Sequence, residues 1–377
     1  MSDARRQAPL PDAVMAALRG DAPRWADVGM PVDDLFDRCI AHEVIGLLHA
    51  RLQLGAPPGW PADFVDRVAD RARADAAAEL LSARETTSIL DRLAAAGVQP
   101  ILIKGTALAY SVYQRPSARP RADTDLLISR DQIEPARAVL AAAGYSATVY
   151  CDGELLFRQF EVQKVDAFGV THALDVHWNI STQTLFADVL SYDELAADSR
   201  PVPALGPAAR MPAPVHALLL ACIHPVMHHQ NEHRLLWVYD VDAIASTLDA
   251  AEWEALAHLA VERQVATIVA RGLEEARTIW ATPVSDTVIW RLRQATSEAS
   301  ASYLAPGRGW WDEFVSNVSH LPSWRSRVQL LLEVAFPSRT YMSRAYGVSG
   351  PVGAALLPAL YVHRLAAGAR KLLRGRK

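Results

Sequence analysis

Two aspartates, Asp123 and Asp125, lie two positions apart at the start of a predicted strand over 124–128. Side chains at this spacing leave a strand from the same face, so the two carboxylates point together. Their mutual repulsion costs stability unless a cation lies between them. Hard oxygen ligands on a rigid strand suit Mg²⁺, which usually keeps several waters and shares the phosphates of a substrate. The pair therefore predicts a magnesium site.

The residues Lys104-Gly105-Thr106 follow an apolar predicted strand over 100–103 and indicate a tight turn. Thr106 is the expected N-cap of a helix over 107–113. Backbone N–H groups at a helix N-terminus, together with the positive end of the helix dipole, attract phosphate. A phosphate cradle and a metal pair within one short unit together indicate a nucleoside triphosphate held by metal.

A third carboxylate, Asp175, is predicted on a later strand. Strict alternation over 173–178 puts Asp175 and His177 on one face and apolar residues on the other. A less regular run over 162–168 precedes it, and we interpret the two runs as a hairpin. Asp175 is then expected beside the first two aspartates in one sheet, where it would complete a two-metal site.

Three arginines, Arg115, Arg119 and Arg121, precede the acidic pair in a predicted loop over 114–122. The guanidinium fork suits phosphate oxygens, so this loop is a candidate phosphate contact. Lys104 at the strand end is a further candidate. The alternative is that the arginines pair with the acidic cluster when no metal is bound.

The order of these motifs resembles the nucleotidyltransferase superfamily built on the DNA polymerase β-like fold, with its glycine turn, acidic-x-acidic strand and third acid. More narrowly, the chain is similar to a bacterial family of uncharacterised nucleotidyltransferases. The segments that carry this resemblance are Leu102-Ile103-Lys104-Gly105, Arg119-Pro120, Asp123-Thr124-Asp125-Leu126-Leu127, Leu174-Asp175-Val176-His177-Trp178 and, more weakly, Leu236-Trp237-Val238-Tyr239-Asp240. Thr106 departs from the superfamily's usual Ser or Gly but keeps a hydroxyl.

The resemblance implies a metal-dependent transferase with a defined set of site residues. The expected metal ligands and catalytic residues are Asp123, Asp125 and Asp175, and the expected nucleotide contacts are Lys104, Gly105, Thr106 and Arg119. Arg119 is the preferred phosphate contact because it occupies the Arg-Pro position of the family. The expected cofactor is Mg²⁺, as two ions, with Mn²⁺ as a substitute, and an NTP is the co-substrate.

The composition of the 377 residues limits the partners and the compartment. A net charge of −4 leaves no general electrostatic footprint for nucleic acid, which disfavours a long nucleic acid as substrate. Cys39, Cys151 and Cys222 are widely spaced and suggest neither a zinc site nor a disulfide framework. No apolar signal core stands at the N-terminus, and no apolar run reaches the roughly 20 residues that span a bilayer. We expect a cytoplasmic protein.

The distribution of apolar patterns predicts an α+β fold that is mainly helical, because strand-like runs are mostly confined to 98–180. A small mixed-sheet nucleotidyltransferase core is expected between N-terminal and C-terminal helical regions. The predicted divisions are a helical region over 1–97, the core over 98–200, a proline-rich linker over 201–214 and a helical domain over 215–377.

Two features of the C-terminal half leave alternatives open. His224 and His228 have the i, i+4 spacing of metal ligands, and Asp240 or Asp242 could join them in a phosphohydrolase site. The alternative is that the histidines line a cleft. Asp240 is either a general base for an acceptor hydroxyl or an ordinary polar residue of a helix.

The last apolar helix, over 350–377, ends in a series of basic residues that includes Arg370 and Lys371. It either lies on an anionic membrane surface or packs on the body and leaves a basic tail in solvent. We favour the second of these, since the apolar part has a helical domain to pack against.

These observations predict a Mg²⁺-dependent enzyme that moves an NMP from an NTP to an acceptor and releases pyrophosphate. One alternative is kinase-like transfer of the γ-phosphoryl group from the same site. Another is a non-catalytic protein that binds a nucleotide or a partner. The sequence identifies neither the acceptor, whether a small molecule, a peptide or a protein, nor the base preference or oligomeric state.

Overall fold

A computed structural model describes residues 8–148, 155–295 and 297–374, without the side chains of 344, 352, 369 and 371–374. The fold is α+β and mainly helical, as predicted, with one small mixed sheet between helical regions.

The described part of the N-terminal region contains four α-helices, three of which begin directly after a proline. They are α1 (Asp12–Arg19), α2 (Val32–Ala41), α3 (Ile45–Gln53) and α4 (Ala62–Ala95). Pro11, Pro31 and Pro61 have φ near −60°, which suits the entry to a helix. Helix α4 spans 34 residues and packs in two different cores, since Phe64 lies in the N-terminal cluster and Leu90 in the sheet cluster.

The central sheet has five strands in the order β1-β2-β5-β4-β3. The strands are β1 (Ile101–Ile103), β2 (Thr124–Leu127), β3 (Ser146–Ala147), β4 (Gln159–Val165) and β5 (Thr171–His177), and the helices between them are α5 (Lys104–Ala109) and α6 (Ile133–Ala142). Strands β2 and β5 are parallel, and the other neighbours are antiparallel. The predicted hairpin of β4 and β5 is confirmed.

The two faces of the sheet belong to different cores. Leu126, Leu174 and Phe160 pack against the C-terminal half of α4 and against α6. Ile103 and Leu127, on the other face, join the core of the C-terminal helices. Since side chains alternate along a strand, the acidic residues at 125 and 175 lie on the face toward the C-terminal helices.

The segment over 201–214, predicted as a linker, is packed along the sheet core. It forms a short antiparallel pair, β6 (Arg200–Pro201) and β7 (Arg210–Met211), and buries Val202 and Leu205. The division of the chain into domains stays a prediction.

The remaining α-helices of the described chain follow the central sheet. They are α7 (Thr184–Ala187), α8 (Tyr192–Ala197), α9 (Pro214–His228), α10 (Leu235–Ala245), α11 (Ala250–Glu262), α12 (Ala266–Trp280), α13 (Asp286–Arg293), α14 (Trp310–His320), α15 (Trp324–Ala335), α16 (Arg339–Ala345) and α17 (Gly350–Arg374). The strongly apolar α9 and α10 are buried because they pack against each other and against α12.

Local boundaries differ from the sequence-based expectations in two places. The prediction of Thr106 as an N-cap is wrong, because α5 begins at Lys104 and Thr106 lies inside the helix. The sequence also predicts a strand over 145–150, of which the described residues form only β3; residues 149–150 lie outside the described chain, as does Cys151.

Candidate active site

Asp125 and Asp175 lie opposite each other on the parallel neighbours β2 and β5. Asp175 is in turn paired with Glu161 on β4, so three carboxylates form a row across adjacent strands. Asp123 lies just before β2, two positions from Asp125, and faces the same side of the sheet. The sheet thus brings together the three aspartates predicted from the sequence.

The crowding of these carboxylates changes their protonation. Burial and the charge of Asp125 raise the pKa of Asp123 to about 6. Burial and the charges of Asp125, Asp123 and Glu161 raise the pKa of Asp175 to about 8. A cation bound among these carboxylates would relieve their repulsion, and the prediction of a magnesium site stays a prediction.

Asp125 is held by two basic neighbours. The Lys104 ammonium lies 2.7 Å from Asp125 Oδ1, and His177 Nε2 donates a hydrogen bond of 2.9 Å to the same oxygen. Burial would raise the pKa of Asp125, but Lys104 and His177 outweigh it and hold the pKa well below its ordinary value. Lys104 also adopts a left-handed φ of 53°, an uncommon conformation for a residue other than glycine.

The donor set fits a divalent cation. Ligand atoms of Asp125, Asp175 and His177 all lie within 4.8 Å of one another. Within the described part of the chain, this is the group of side chains arranged closely enough to hold a metal ion. Two carboxylates suit Mg²⁺ or Mn²⁺, and the imidazole adds a nitrogen ligand that transition metals accept.

The sequence did not lead to Glu161, and it gave His177 a place on the strand but no role. His177 was predicted on the face of Asp175 without a role. Glu161 alternates with the buried Phe160 and Val162 along β4, and the same period of two that identified Asp175 would have found it. The irregular polar pattern later in β4 hid this signal.

Gly105 and Thr106 lie buried in the first turn of the six-residue helix α5. Thr106 Oγ1 is 3.3 Å from Thr124 Oγ1, at the start of β2. A Cβ at Gly105 would lie 3.6 Å from Arg119 Nη1, which places the turn beside that guanidinium. The nucleotide contacts predicted for Lys104, Gly105, Thr106 and Arg119 stay predictions.

Arg119 is buried and paired with Asp240 of α10. Its Nε and Nη2 donate hydrogen bonds of 2.9 Å to the two carboxylate oxygens, and Nη1 donates to Pro120 O at 2.8 Å. Tyr113 Oη donates a further hydrogen bond to Asp240, at 2.6 Å. The alternative considered from the sequence, that Arg119 pairs with the acidic cluster, is wrong, because the partner of Arg119 is Asp240 on the C-terminal helices.

The other two arginines of the loop contact the N-terminal helices α3 and α4. Arg121 makes a bidentate pair with Glu79 of α4, at 2.7 and 2.8 Å. Arg115 donates to Gln53 at 2.9 Å. The arginine loop is therefore fixed to both helical regions of the protein.

The histidines of α9 do not form the metal site considered from the sequence. Their proposed partners are engaged elsewhere, because Asp240 binds Arg119 and Asp242 accepts a 2.8 Å hydrogen bond from Thr282. Burial and then the charge of Lys104 hold the pKa values of His224 and His228 well below the ordinary value, so both are neutral. His224 lines a pocket together with Lys104 and Trp237, which fits the interpretation as a cleft residue, whereas His228 Nε2 donates a hydrogen bond of 3.2 Å to Ile180 O.

A mixed sheet with an acid-x-acid strand beside a third acid is the organisation of a nucleotidyltransferase. A family model described as "uncharacterised nucleotidyltransferase" matches residues 30–281. The chain belongs to this family. No curated protein matches it.

Proposed function

We propose that this protein is a Mg²⁺-dependent nucleotidyltransferase that moves an NMP from an NTP to an acceptor and releases pyrophosphate. The observation that carries the proposal is the register of β2 and β5, which sets Asp125 against Asp175, with Asp123 two positions away. Asp125 is buried and the other two aspartates are half-buried, and carboxylates so close together cost stability unless a cation binds between them.

In this proposal Asp123, Asp125 and Asp175 hold the metal, and Asp175 also orients the acceptor hydroxyl. Divalent cations bound there would position a triphosphate and lower the pKa of the attacking hydroxyl. Lys104, whose ammonium contacts Asp125, would move to the phosphates once a metal replaces it. Gly105, Thr106 and the Arg119 side chain would border the β- and γ-phosphates.

The acceptor would enter from the C-terminal helices. A pocket beside Lys104 lies between α5, α9 and α10, and its walls include Leu108, Leu220, His224 and Trp237. The lining is mainly apolar and aromatic, so it suits an acceptor with an apolar or planar part. We infer a small molecule or the side chain of a peptide or protein, and not a long nucleic acid.

Product analysis tests the proposal. The purified chain is incubated with each NTP, Mg²⁺ and a small-molecule extract of the host, and phosphorus NMR reports the products. We expect pyrophosphate from the wild type, none from Asp123→Asn, and an unchanged yield from Asp131→Asn, which alters an exposed aspartate outside the site.

Other products would overturn the proposal. Nucleoside diphosphate in place of pyrophosphate would show attack at the γ-phosphate. Absence of both products, together with no heat of binding for NTP·Mg²⁺ in calorimetry, would show that the acidic row does not bind nucleotide.

A further inference from the structure

The last 72 residues, 306–377, lie outside the family match and differ from the rest of the chain in charge. This C-terminal extension carries eleven Lys and Arg against three Asp and Glu, a net charge of +8. Residues 1–305 carry 27 basic and 39 acidic residues, a net charge of −12. Charge is therefore distributed unevenly along the chain, with a basic extension following an acidic remainder.

The extension also holds most of the exposed large hydrophobic side chains of the described chain. Those in the extension are Trp310, Trp311, Val315, Trp324, Val328, Leu331, Leu332, Phe336, Leu356, Val362 and Leu365. Trp324 and Val362 are 69% and 68% exposed. Apolar side chains gathered in this way mark a surface that meets a partner or a membrane.

The contacts that the structure describes for the arginines of the extension are other than ion pairs. Among those whose side chains the structure describes, none forms an ion pair; they are Arg308, Arg325, Arg327, Arg339, Arg364 and Arg370. Several lie against aromatic rings instead, such as Arg325 over Trp324 at 5.7 Å and Arg364 over Tyr341 at 5.2 Å. Cations interleaved with tryptophan and tyrosine are typical of the interface between lipid headgroups and acyl chains.

Polar contacts help to attach the extension to the sheet region, and most of its large apolar side chains stay exposed although Leu330 and Met342 are buried. Glu333 accepts hydrogen bonds from the backbone of Leu155 and Leu156, at 3.0 and 2.9 Å. Asn317 accepts one from Thr184 N–H at 2.7 Å. Helix α17, by contrast, packs mainly on α16, and its first fourteen residues include no Asp, Glu, Lys or Arg. The expectation that α17 buries its apolar part against the body does not account for this exposure.

We propose that the C-terminal extension binds the surface of an anionic membrane. None of the helices in the described residues is both long and apolar enough to cross a bilayer, so the contact we infer is parallel to the surface. Exposed tryptophan, leucine and valine side chains would enter the headgroup region, and the unpaired arginines would meet anionic lipids. The acidic remainder of the molecule is repelled by such a surface, which orients the protein with the extension toward it.

Vesicle co-sedimentation of the full chain tests this proposal. We expect binding to vesicles of phosphatidylcholine mixed with phosphatidylglycerol, and release in about 1 M NaCl, where the Debye length falls to about 3 Å. The double variant Trp324→Ser/Val362→Ser should weaken binding about tenfold or more. Arg325→Gln with Arg370→Gln should cause a similar loss, confined to low salt.

A matched control separates a specific surface from general stickiness. Trp290 lies outside the extension and is 63% exposed, close to the value for Trp324, so Trp290→Ser should leave vesicle binding unchanged. Circular dichroism confirms that each variant remains folded.

Three outcomes would overturn the proposal. Equal binding to pure phosphatidylcholine would show that charge does not drive the binding. Absence of binding at low salt would show that the extension is not a membrane-binding surface. A dimer in light scattering that Trp324→Ser converts to a monomer would instead assign the face to a second copy of the chain.

Discussion

Arg119 and Asp240, 121 positions apart in the chain, form a bidentate ion pair that is almost fully buried. The pair joins the loop that leads into the acidic strand to the first helices of the C-terminal region. The geometry of the acidic row therefore depends on a contact with helices that carry none of its carboxylates.

Asp240→Asn should be strongly destabilising. The substitution leaves the Arg119 guanidinium buried without a counter-charge, and breaking a buried pair in this way costs about 3–5 kcal/mol. Urea unfolding followed by circular dichroism measures the change in the free energy of unfolding. Asp286→Asn is the control, since Asp286 pairs with Arg277 in solvent and should be nearly neutral. A loss below about 1 kcal/mol for Asp240→Asn would contradict the role of the pair.

The stability of the metal-free protein should fall as pH rises, because of Asp175. Its pKa is raised to about 8 in the folded chain, whereas an aspartate in an unfolded chain titrates near 3.9. Between about pH 4 and pH 8 the folded chain keeps a proton that the unfolded chain releases, so the free energy of unfolding decreases with pH. Asp175→Asn lacks this term, and its Tm in EDTA should rise relative to wild type from pH 5 to pH 8.

The control for the pH experiment is Asp131→Asn, an exposed change whose Tm should follow the wild type at every pH. A difference between Asp175→Asn and wild type that stays constant over this range would mean that Asp175 titrates normally.

Lys104→Met should affect metal and nucleotide binding in opposite directions. The Lys104 ammonium occupies the Asp125 oxygen at 2.7 Å, so its removal should tighten the binding of Mn²⁺ alone by several-fold. If Lys104 then contacts phosphate, the same variant should bind NTP·Mg²⁺ more weakly. Calorimetry measures both affinities, and Lys164→Met, which removes a lysine paired with Glu85, serves as control. Weaker binding of both ligands would show that Lys104 only supports the fold.

Gly46→Ala should destabilise the protein although alanine is the better helix former. A Cβ at Gly46 would lie 2.5 Å from the backbone of Ala118, so helix α3 and the arginine loop must separate. Overpacking of this kind costs about 1–3 kcal/mol. Gly368→Ala, with no atom within 4 Å of the added Cβ, should be neutral or slightly stabilising. Thermal unfolding compares the two, and equal Tm values would refute the close contact.

The three aspartates of the site, though not Glu161, could be predicted from the sequence because the alternation that places them on strands is a local signal. Alternation along β2 and β5 defines which side chains share a face, and the hairpin of β4 and β5 brings the strands together. The prediction of Thr106 as an N-cap, which was also made from a local pattern, was wrong. A capping threonine and an ordinary buried threonine look alike in a sequence. The parallel pairing of β2 with β5, which sets Asp125 against Asp175, has no local signal.

The partner of Arg119 could not be predicted either. Asp240 lies on a helix more than a hundred residues later, and a sequence shows charge but not the direction in which a buried carboxylate points. The pairing of Arg121 with Glu79 is hidden for the same reason, because the regular pattern of α4 does not reveal which of its acids faces the loop.

Helix α4 joins the two cores of the protein through a single rigid element. Its early residue Phe64 is fixed in one core and its late residue Leu90 in the other, with Glu79 bound to Arg121 between them. Adding one residue to an α-helix turns everything beyond it by about 100°. An insertion or deletion in the middle of α4 would therefore turn one end of the helix away from its core unless it added or removed whole turns. The length of this helix can thus change only in steps of about seven residues, or two turns, whatever side chains are added.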